Sequence, residues 1–271
     1  MNQISPAAAL AGLPITPSLP VVFVGHGSPM NAIIDTPYSR GWQMLGQSLP
    51  RPRAILCVSA HWTSQGGTLV DIAARPPTIH DFGGFPQRLY EQIYPASGAP
   101  DYARAAIGLV RSTRLEADRN WGFDHGSWGV LLRMYPHADV PMFQMSLDLG
   151  KAPQAHFRLA QELRPLRERG LLIVASGNLI HNLHAMDQSG KAQPWAVEFD
   201  ARAAAYIRAR DIARLVQLGT QGPLAQMANP TPEHFLPVLY ALGAGDPQDE
   251  LTFFNEGIEW GAISMRSFVL A

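Results

Sequence analysis

The chain has a single cysteine, Cys57, in 271 residues, so it can form neither an internal disulfide nor a cluster of thiolate metal ligands. It is also poor in lysine, because only Lys151 and Lys191 occur among its 21 basic residues. The formal net charge is -1, which gives no electrostatic reason to expect binding to nucleic acid or to an anionic membrane. We therefore expect the partner to be a small molecule.

Long apolar runs and leader signals are missing as well. No stretch approaches the roughly 18 to 20 apolar residues of a membrane span. The first 18 residues contain no Lys or Arg, whereas a signal peptide begins with positive charge. We expect a cytoplasmic protein in which residues 1–18 are a flexible N-terminal extension and residues 19–271 form one catalytic domain.

Several common catalytic motifs are also absent from the sequence. There is no Gly-x-Gly-x-x-Gly after a strand, no phosphate-binding P-loop and no His-Glu-x-x-His zinc motif. The Gly-x-Ser-x-Gly turn of the serine hydrolases does not occur either. Any chemistry must therefore come from residues that lie far apart in the sequence.

Apolar runs of strand length alternate with helical stretches from residue 20 to the C-terminus. This alternation predicts βαβ units around a mostly parallel sheet flanked by helices, that is, a single-domain α/β fold. The predicted strands are 20–24, 54–58, 68–72, 141–146, 171–175, 251–254 and 262–269. The predicted helices are 38–48, 86–94, 102–111, 127–135, 153–168, 195–217 and 232–242.

Three histidines follow predicted strands where the apolar runs end in small residues. His26 and His61 come just after the first two strands, and His181 lies one helical turn beyond the fifth. The carboxyl ends of parallel strands meet at one edge of an α/β sheet, where ligands bind. Because imidazole binds zinc, iron and copper, three such rings at one edge predict a metal site. The ordinary alternatives are a turn cap for His26 and a core histidine for His61, while His181 could serve as an acid or base.

Aromatic residues accompany further histidines. His125 lies in a glycine-rich segment that also contains Trp121 and Trp128, and His80 lies in the long loop 75–86. An aromatic-walled pocket suits a flat organic substrate, and long ordered loops are often functional. We predict that His80, Trp121 and Trp128 bind substrate in a pocket that also holds the imidazole of His125. The alternative for this segment is an aromatic minicore under a helix N-terminus.

Taken together, six segments resemble the DOPA 4,5-dioxygenase extradiol family, which belongs to the class III extradiol ring-cleaving dioxygenases. The match runs in order from about residue 20 to the C-terminus and leaves the tail before Leu19 outside. The segments are Gly25-His26-Gly27-Ser28-Pro29-Met30-Asn31, Ser59-Ala60-His61-Trp62, 77–86, 121–128, Ser176-Gly177-Asn178 with His181-Asn182-Leu183, and Asn229-Pro230-Thr231-Pro232-Glu233-His234.

The resemblance implies one α/β domain with a central mixed sheet and one mononuclear divalent metal, Zn or Fe(II), in a solvent-reachable pocket. Carried over by motif, the metal ligands fall on His26, His61, His181 and His234. The catalytic acid/base residues fall on His125 and His181, so that the resemblance implies His181 either as a ligand or as the base. The implied substrates are a DOPA-like catechol and O2, and the implied product is a muconic semialdehyde.

The last ligand position leaves the native metal open. Iron(II) extradiol enzymes use two histidines and one carboxylate, and here Glu233 and His234 are both available. Bacterial relatives of this subgroup are associated with zinc and an all-histidine site. Zinc has no accessible second oxidation state and cannot relay electrons from a catechol to oxygen. The alternatives are therefore a zinc hydrolase or a non-catalytic binding protein of the same fold. The sequence does not fix the oligomeric state, and a monomer is compatible with it.

Overall fold

The computed structural model describes residues 5–271, and its centre is a mixed sheet of six strands. In chain order the strands of this sheet are β1 (Val21–Gly25), β2 (Ala54–Ser59), β3 (Met142–Gln144), β4 (Leu171–Gly177), β5 (Leu251–Phe254) and β6 (Ser267–Leu270). Their spatial order is β3-β2-β4-β1-β6-β5. The first four are parallel, β6 pairs with β1 as an antiparallel strand, and β5 pairs in turn with β6, also antiparallel. The predicted α/β class with a mostly parallel sheet is confirmed.

Helices cover both faces of the sheet, which explains why its parallel strands are apolar along their whole length. Side chains of β1 alternate between two cores: Val21 and Phe23 enter one, and Val22 and Val24 enter the other. The helices are α1 (Pro6–Ala9), α2 (Pro37–Ser48), α3 (Gln87–Tyr90), α4 (Pro100–Leu109), α5 (His125–Met134), α6 (Pro153–Leu163), α7 (Pro194–Arg208), α8 (Ile212–Thr220), α9 (Gly222–Ala228) and α10 (Pro237–Ala244).

Short elements connect these layers. The 3₁₀ turns are Pro29–Ala32, Arg164–Arg169 and Leu183–Ala185. The small strand pairs are Thr63–Ser64 with Leu147–Asp148, Thr68–Asp71 with Leu115–Asp118, and Ile258–Glu259 with Ile263–Ser264.

Several predicted elements differ in extent from those observed. The predicted helix 195–217 is two helices, because Arg210 takes a positive φ of 54° between α7 and α8. The predicted strand 262–269 is also two elements, and its parts Ile263–Ser264 and β6 pair in different sheets. The predicted helix 232–242 begins only at Pro237, so the residues before it form turns. In each case a local change in the backbone divides or shortens an element whose apolar sequence pattern is continuous.

The N-terminal segment packs against the domain in the part that the structure describes. Helix α1 contacts α4, and the backbone N–H of Thr16 donates to the carbonyl oxygen of Glu168 at 2.8 Å. The division at residue 18 into extension and catalytic domain stays a prediction. Among residues 5–271, no helix has both the length and the apolar character needed to cross a membrane.

Candidate active site

The strand ends bring His26 and His61 into contact. Gly25 of β1 is paired with Gly177 of β4, and the N–H of His26 donates to the carbonyl oxygen of Gly177 at 3.0 Å. Strand β2 lies on the other side of β4 and leads into His61. As a result, the Nε2 atoms of His26 and His61 are 3.1 Å apart. Two nitrogens that bind one ion at about 2.1 Å each lie at a similar separation.

His125, at the start of α5, completes a group of three rings. Its ring centroid lies 3.9 Å from that of His61 and 5.6 Å from that of His26. One ring nitrogen from each of His26, His61 and His125 lies within 4.8 Å of the other two, so this group could hold a metal ion. The resemblance implied a catalytic rather than a ligating role for His125, and its position permits both.

His234 approaches the same point from the other side. Its ring centroid lies 5.3 Å from that of His26 and 5.0 Å from that of His61. Its Nε2 is buried and has no hydrogen-bond partner among residues 5–271. An unpartnered buried nitrogen is costly unless something binds it. This nitrogen therefore marks a position where a ligand or metal ion would bind.

His181 lies flat against His234. The two ring centroids are 3.5 Å apart and the planes differ by 5°. Imidazole lone pairs lie in the ring plane, so two stacked rings direct their nitrogens along parallel lines. In this arrangement both rings cannot point at one ion, and one of them would have to turn for both to bind it. Of the two roles that the resemblance implied for His181, base and metal ligand, this stacked geometry therefore favours the base.

Two glycines allow these rings to approach each other. A Cβ atom on Gly177 would lie 2.3 Å from the carbonyl oxygen of His234, which accepts the N–H of Asn178 at 2.8 Å. A Cβ atom on Gly126 would lie 2.9 Å from Cδ2 of His61. Any larger residue at either position would push the histidines apart.

A single carboxylate, that of Asp81, holds two of the rings. Its Oδ2 lies 2.9 Å from Nδ1 of His125 and 3.2 Å from Nδ1 of His61. Its Oδ1 accepts the backbone N–H of His125 at 2.8 Å. Burial acts to raise the pKa of Asp81, but the hydrogen bonds and charge of His125 outweigh it and lower the pKa. Asp81 thus stays a carboxylate that is hydrogen-bonded to Nδ1 of His125 and lies close to Nδ1 of His61.

The other rings have their own partners. Nδ1 of His26 lies 3.0 Å from Oγ of Ser176, and Nδ1 of His234 lies 3.0 Å from Oε1 of Glu233. Glu233 also accepts the hydroxyl of Thr231 at 2.7 Å. Partners of this kind fix the orientation of a ligating imidazole and leave Nε2 free for a metal. Of the two neighbours that the sequence left open, the ring of His234 faces the cluster and Glu233 supports it.

Burial disfavours the charged form of four of the rings. It lowers the pKa values of His26 and His61 well below their usual range, and the neighbouring imidazoles lower them further. The pKa of His234 is also lowered by burial, although Glu233 opposes this, and the pKa of His181 falls to about 3. Neutral rings are the form that binds metals.

We expect the metal-free protein to lose stability as the pH falls below about 6.5, the ordinary pKa of histidine. Between that pH and the lowered pKa values, the unfolded chain binds more protons than the folded one, so the free energy of unfolding rises with pH. Each such ring contributes up to about 1.4 kcal/mol per pH unit. Urea unfolding between pH 7 and pH 5 measures the slope. The variant His181→Asn should show a slope smaller by one ring's contribution, and an unchanged slope would contradict the assignment.

Sequence reasoning missed the residues that support the cluster. Asp124, at the N-terminus of α5, is fully buried and accepts hydrogen bonds from Oγ of Ser59 at 2.6 Å and from Nε2 of Gln144 at 2.7 Å. Burial raises the pKa of Asp124, and the nearby charge of Asp81 adds to this effect. Asp81 could have been suspected as the acid beside His80 in the long loop, but no pattern pointed to Ser59 or Gln144.

The predicted substrate-binding residues occupy three different positions. Nε2 of His80 lies 3.0 Å from the carbonyl oxygen of Gln92, and the Trp121 ring stacks on Trp62 with centroids 5.7 Å apart. Trp128 is fully buried, and its indole N–H donates to the carbonyl oxygen of Ile79 at 3.0 Å. Contact between Trp128 and a substrate would require the loop above it to move. Substrate binding by these three residues stays a prediction.

Comparison with known proteins agrees with this geometry. The family described as the catalytic LigB subunit of aromatic ring-opening dioxygenase matches residues 17–263. The chain is 47% identical over 265 residues to the 4,5-DOPA dioxygenase extradiol of Escherichia coli (strain K12), covering 92% of this chain and 93% of the relative. It is 33% identical over 254 residues to the 4,5-DOPA dioxygenase extradiol of Beta vulgaris, covering 91% and 94%.

A solved structure is similar over the same extent. The crystal structure of an uncharacterized protein from Escherichia coli K12 aligns with a TM-score of 0.77 and 40% sequence identity, covering 93% of this chain and all of that one. The fold and the matches together define an aromatic ring-opening dioxygenase. The chain belongs to the LigB family, and it is an extradiol dioxygenase, which confirms the resemblance seen in its motifs.

Proposed function

We propose that the enzyme opens the ring of a catechol with O2 at a divalent metal held by His26, His61 and His234, giving a muconic semialdehyde. The observation that carries the proposal is the convergence of Nε2 atoms: those of His26 and His61 are 3.1 Å apart, and that of His234 is buried without a partner. Their Nδ1 atoms are held by Ser176, Asp81 and Glu233, the pattern expected around metal-bound imidazoles.

The donor set suits a metal such as Zn or Fe(II), because three neutral imidazoles are common ligands of both. An ion held by these three residues would supply a Lewis-acid site for the catechol, and iron would also supply an accessible second oxidation state. Zinc lacks that second oxidation state. We therefore propose Fe(II) as the metal that supports ring cleavage.

We propose that the two remaining rings, His125 and His181, transfer protons. We assign His181 as the acceptor of a catechol hydroxyl proton, because its stacking on His234 directs its nitrogens away from an ion shared with that ring. We assign His125 as the proton donor, with Asp81 holding its Nδ1 and its backbone N–H. We propose that Trp121 and His80 contact the substrate at the edge of this site.

Oxygen uptake tests the proposal directly. The protein is reconstituted anaerobically with Fe(II), or with zinc in parallel, and mixed with L-DOPA, caffeate, protocatechuate and simple catechols. We expect oxygen consumption and a yellow product with iron and not with zinc. Tight metal binding without oxygen uptake on any catechol would contradict ring cleavage. Hydrolysis by the zinc form would then favour the hydrolase that three neutral histidines could also support.

The roles of Glu233 and His234 are separated by two glutamine variants. We expect His234→Gln to abolish tight metal binding, since it removes the unpartnered nitrogen. Glu233→Gln removes only the partner of Nδ1, so metal affinity should fall by roughly 10- to 100-fold. Metal titration of both variants, without any turnover assay, measures the difference. The reverse order would make Glu233 the ligand.

A further inference from the structure

Ser176, in β4, is a serine whose one hydroxyl group lies between two partners. Its Oγ is 2.5 Å from the carbonyl oxygen of Gly126 and 3.0 Å from Nδ1 of His26. The residue is fully buried, so no solvent competes for either contact. A hydroxyl group has one proton to donate, and its oxygen can also accept. The two contacts must therefore be divided between one donated and one accepted hydrogen bond.

The register of the sheet directs this hydroxyl towards α5. Ser176 is paired with Val24 of β1 on one side and with Ser59 of β2 on the other. Residues paired in this way point to the same face of a sheet. Val24 packs in the core that contains Trp128 of α5, so Ser176 faces the same helix. This position accounts for a polar residue near the end of an otherwise apolar strand.

The carbonyl group of Gly126 decides which of the two contacts is donated. A carbonyl oxygen only accepts hydrogen bonds, so the Ser176 hydroxyl donates its proton to Gly126. The lone pairs of Oγ then face His26, whose Nδ1 must be the donor. A neutral imidazole carries a single N–H, so Nε2 of His26 keeps its lone pair. This is the nitrogen that lies 3.1 Å from Nε2 of His61.

We propose that Ser176 is a positioning residue that holds His26 in the tautomer needed for metal binding, with the proton on Nδ1 and the lone pair on Nε2. This inference rests on the proposed function, because it takes His26 as a metal ligand. A hydroxyl group alone could also donate to Nδ1 and so favour the opposite tautomer. The contact with the carbonyl of Gly126 removes that choice, and it ties the orientation of His26 to the first turn of α5.

Zinc titration of two serine variants tests the proposal without turnover. Ser176→Ala removes only the hydroxyl oxygen, and we expect the affinity for zinc to fall by roughly 10- to 100-fold. The control is Ser267→Ala. Ser267 is equally buried, and its Oγ accepts the N–H of Gly25 at 3.0 Å and donates to the carbonyl of Met265 at 3.0 Å. Both partners are backbone groups, so this variant should keep the wild-type affinity. An unchanged affinity in Ser176→Ala, or an equal loss in both variants, would overturn the proposal.

Nitrogen-15 NMR of the metal-free protein, labelled at histidine, measures the tautomer itself. The signals of His26 are identified by their absence from His26→Gln. We expect a protonated Nδ1 and an unprotonated Nε2 in the wild type and in Ser267→Ala, and a mixture of both tautomers in Ser176→Ala. A proton on Nε2 of His26 in the wild type would overturn the proposal. If the tautomer and the zinc affinity behave as expected but the iron-loaded enzyme cleaves no catechol, the proposed function fails while the role of Ser176 stands.

Discussion

Replacing His26 or His61 with alanine should abolish metal binding and, with it, ring cleavage. The Nε2 atoms of the two rings are 3.1 Å apart, and both belong to the proposed set of metal ligands. Removing one of three ligands leaves two, which is too few for the closed coordination that such metals take in proteins. Elemental analysis after gel filtration should find stoichiometric metal in the wild type and almost none in either variant.

A matched control separates ligation from general damage. His137 is exposed and lies at the far end of α5 from the cluster, so His137→Ala should retain full metal content. The free energies of unfolding of His26→Ala and His61→Ala should be compared with that of the metal-free wild type, because a bound metal ion would itself stabilise the folded state. Stoichiometric metal in either cluster variant would show that the ligand assignment is wrong.

His181→Ala should retain the metal and lose most of its turnover. A positioned general base contributes roughly 10²- to 10⁴-fold to a rate, so kcat should fall within that range. The neighbouring exposed His184, changed to alanine, serves as the control and should leave both properties unchanged.

Metal content decides between the two roles implied for His181. If His181→Ala purifies without metal, the ring belongs with the ligands, and it must turn out of its stack with His234 to bind. If the metal stays and kcat is unchanged, His181 is neither base nor ligand. A rise in activity at higher pH in His181→Ala would support the base role, because hydroxide would then replace the missing acceptor.

The sequence was sufficient to predict most of the parallel strands and the proximity of two histidine rings, those of His26 and His61. Strand-length apolar runs ending in small residues predicted β1, β2 and β4, and the rule that parallel strands end at one edge placed His26 beside His61. These inferences depend only on local pattern and on a general property of sheets. The contact between His26 and His61 needed no knowledge of the loops.

The other features of the site could not be predicted from the sequence, because they depend on contacts between segments that are far apart in the chain. Asp81 reaches His125 across 44 positions, and nothing near either residue indicates that the long loop folds back over the cluster. The choice between Glu233 and His234 depended on a turn before α10 where the apolar pattern predicted a continuous helix. Side-chain direction at such turns is set by tertiary packing rather than by periodicity.

The carboxylate of Asp81 links the long loop to two rings of the cluster at once. Because one of its oxygens contacts both His61 and His125, any displacement of the loop would remove a partner from the proposed metal ligand and from the proposed proton donor together. Substitutions within residues 75–86 should therefore change how fast the enzyme commits a bound substrate to reaction, even where they leave the identity of the metal ligands untouched.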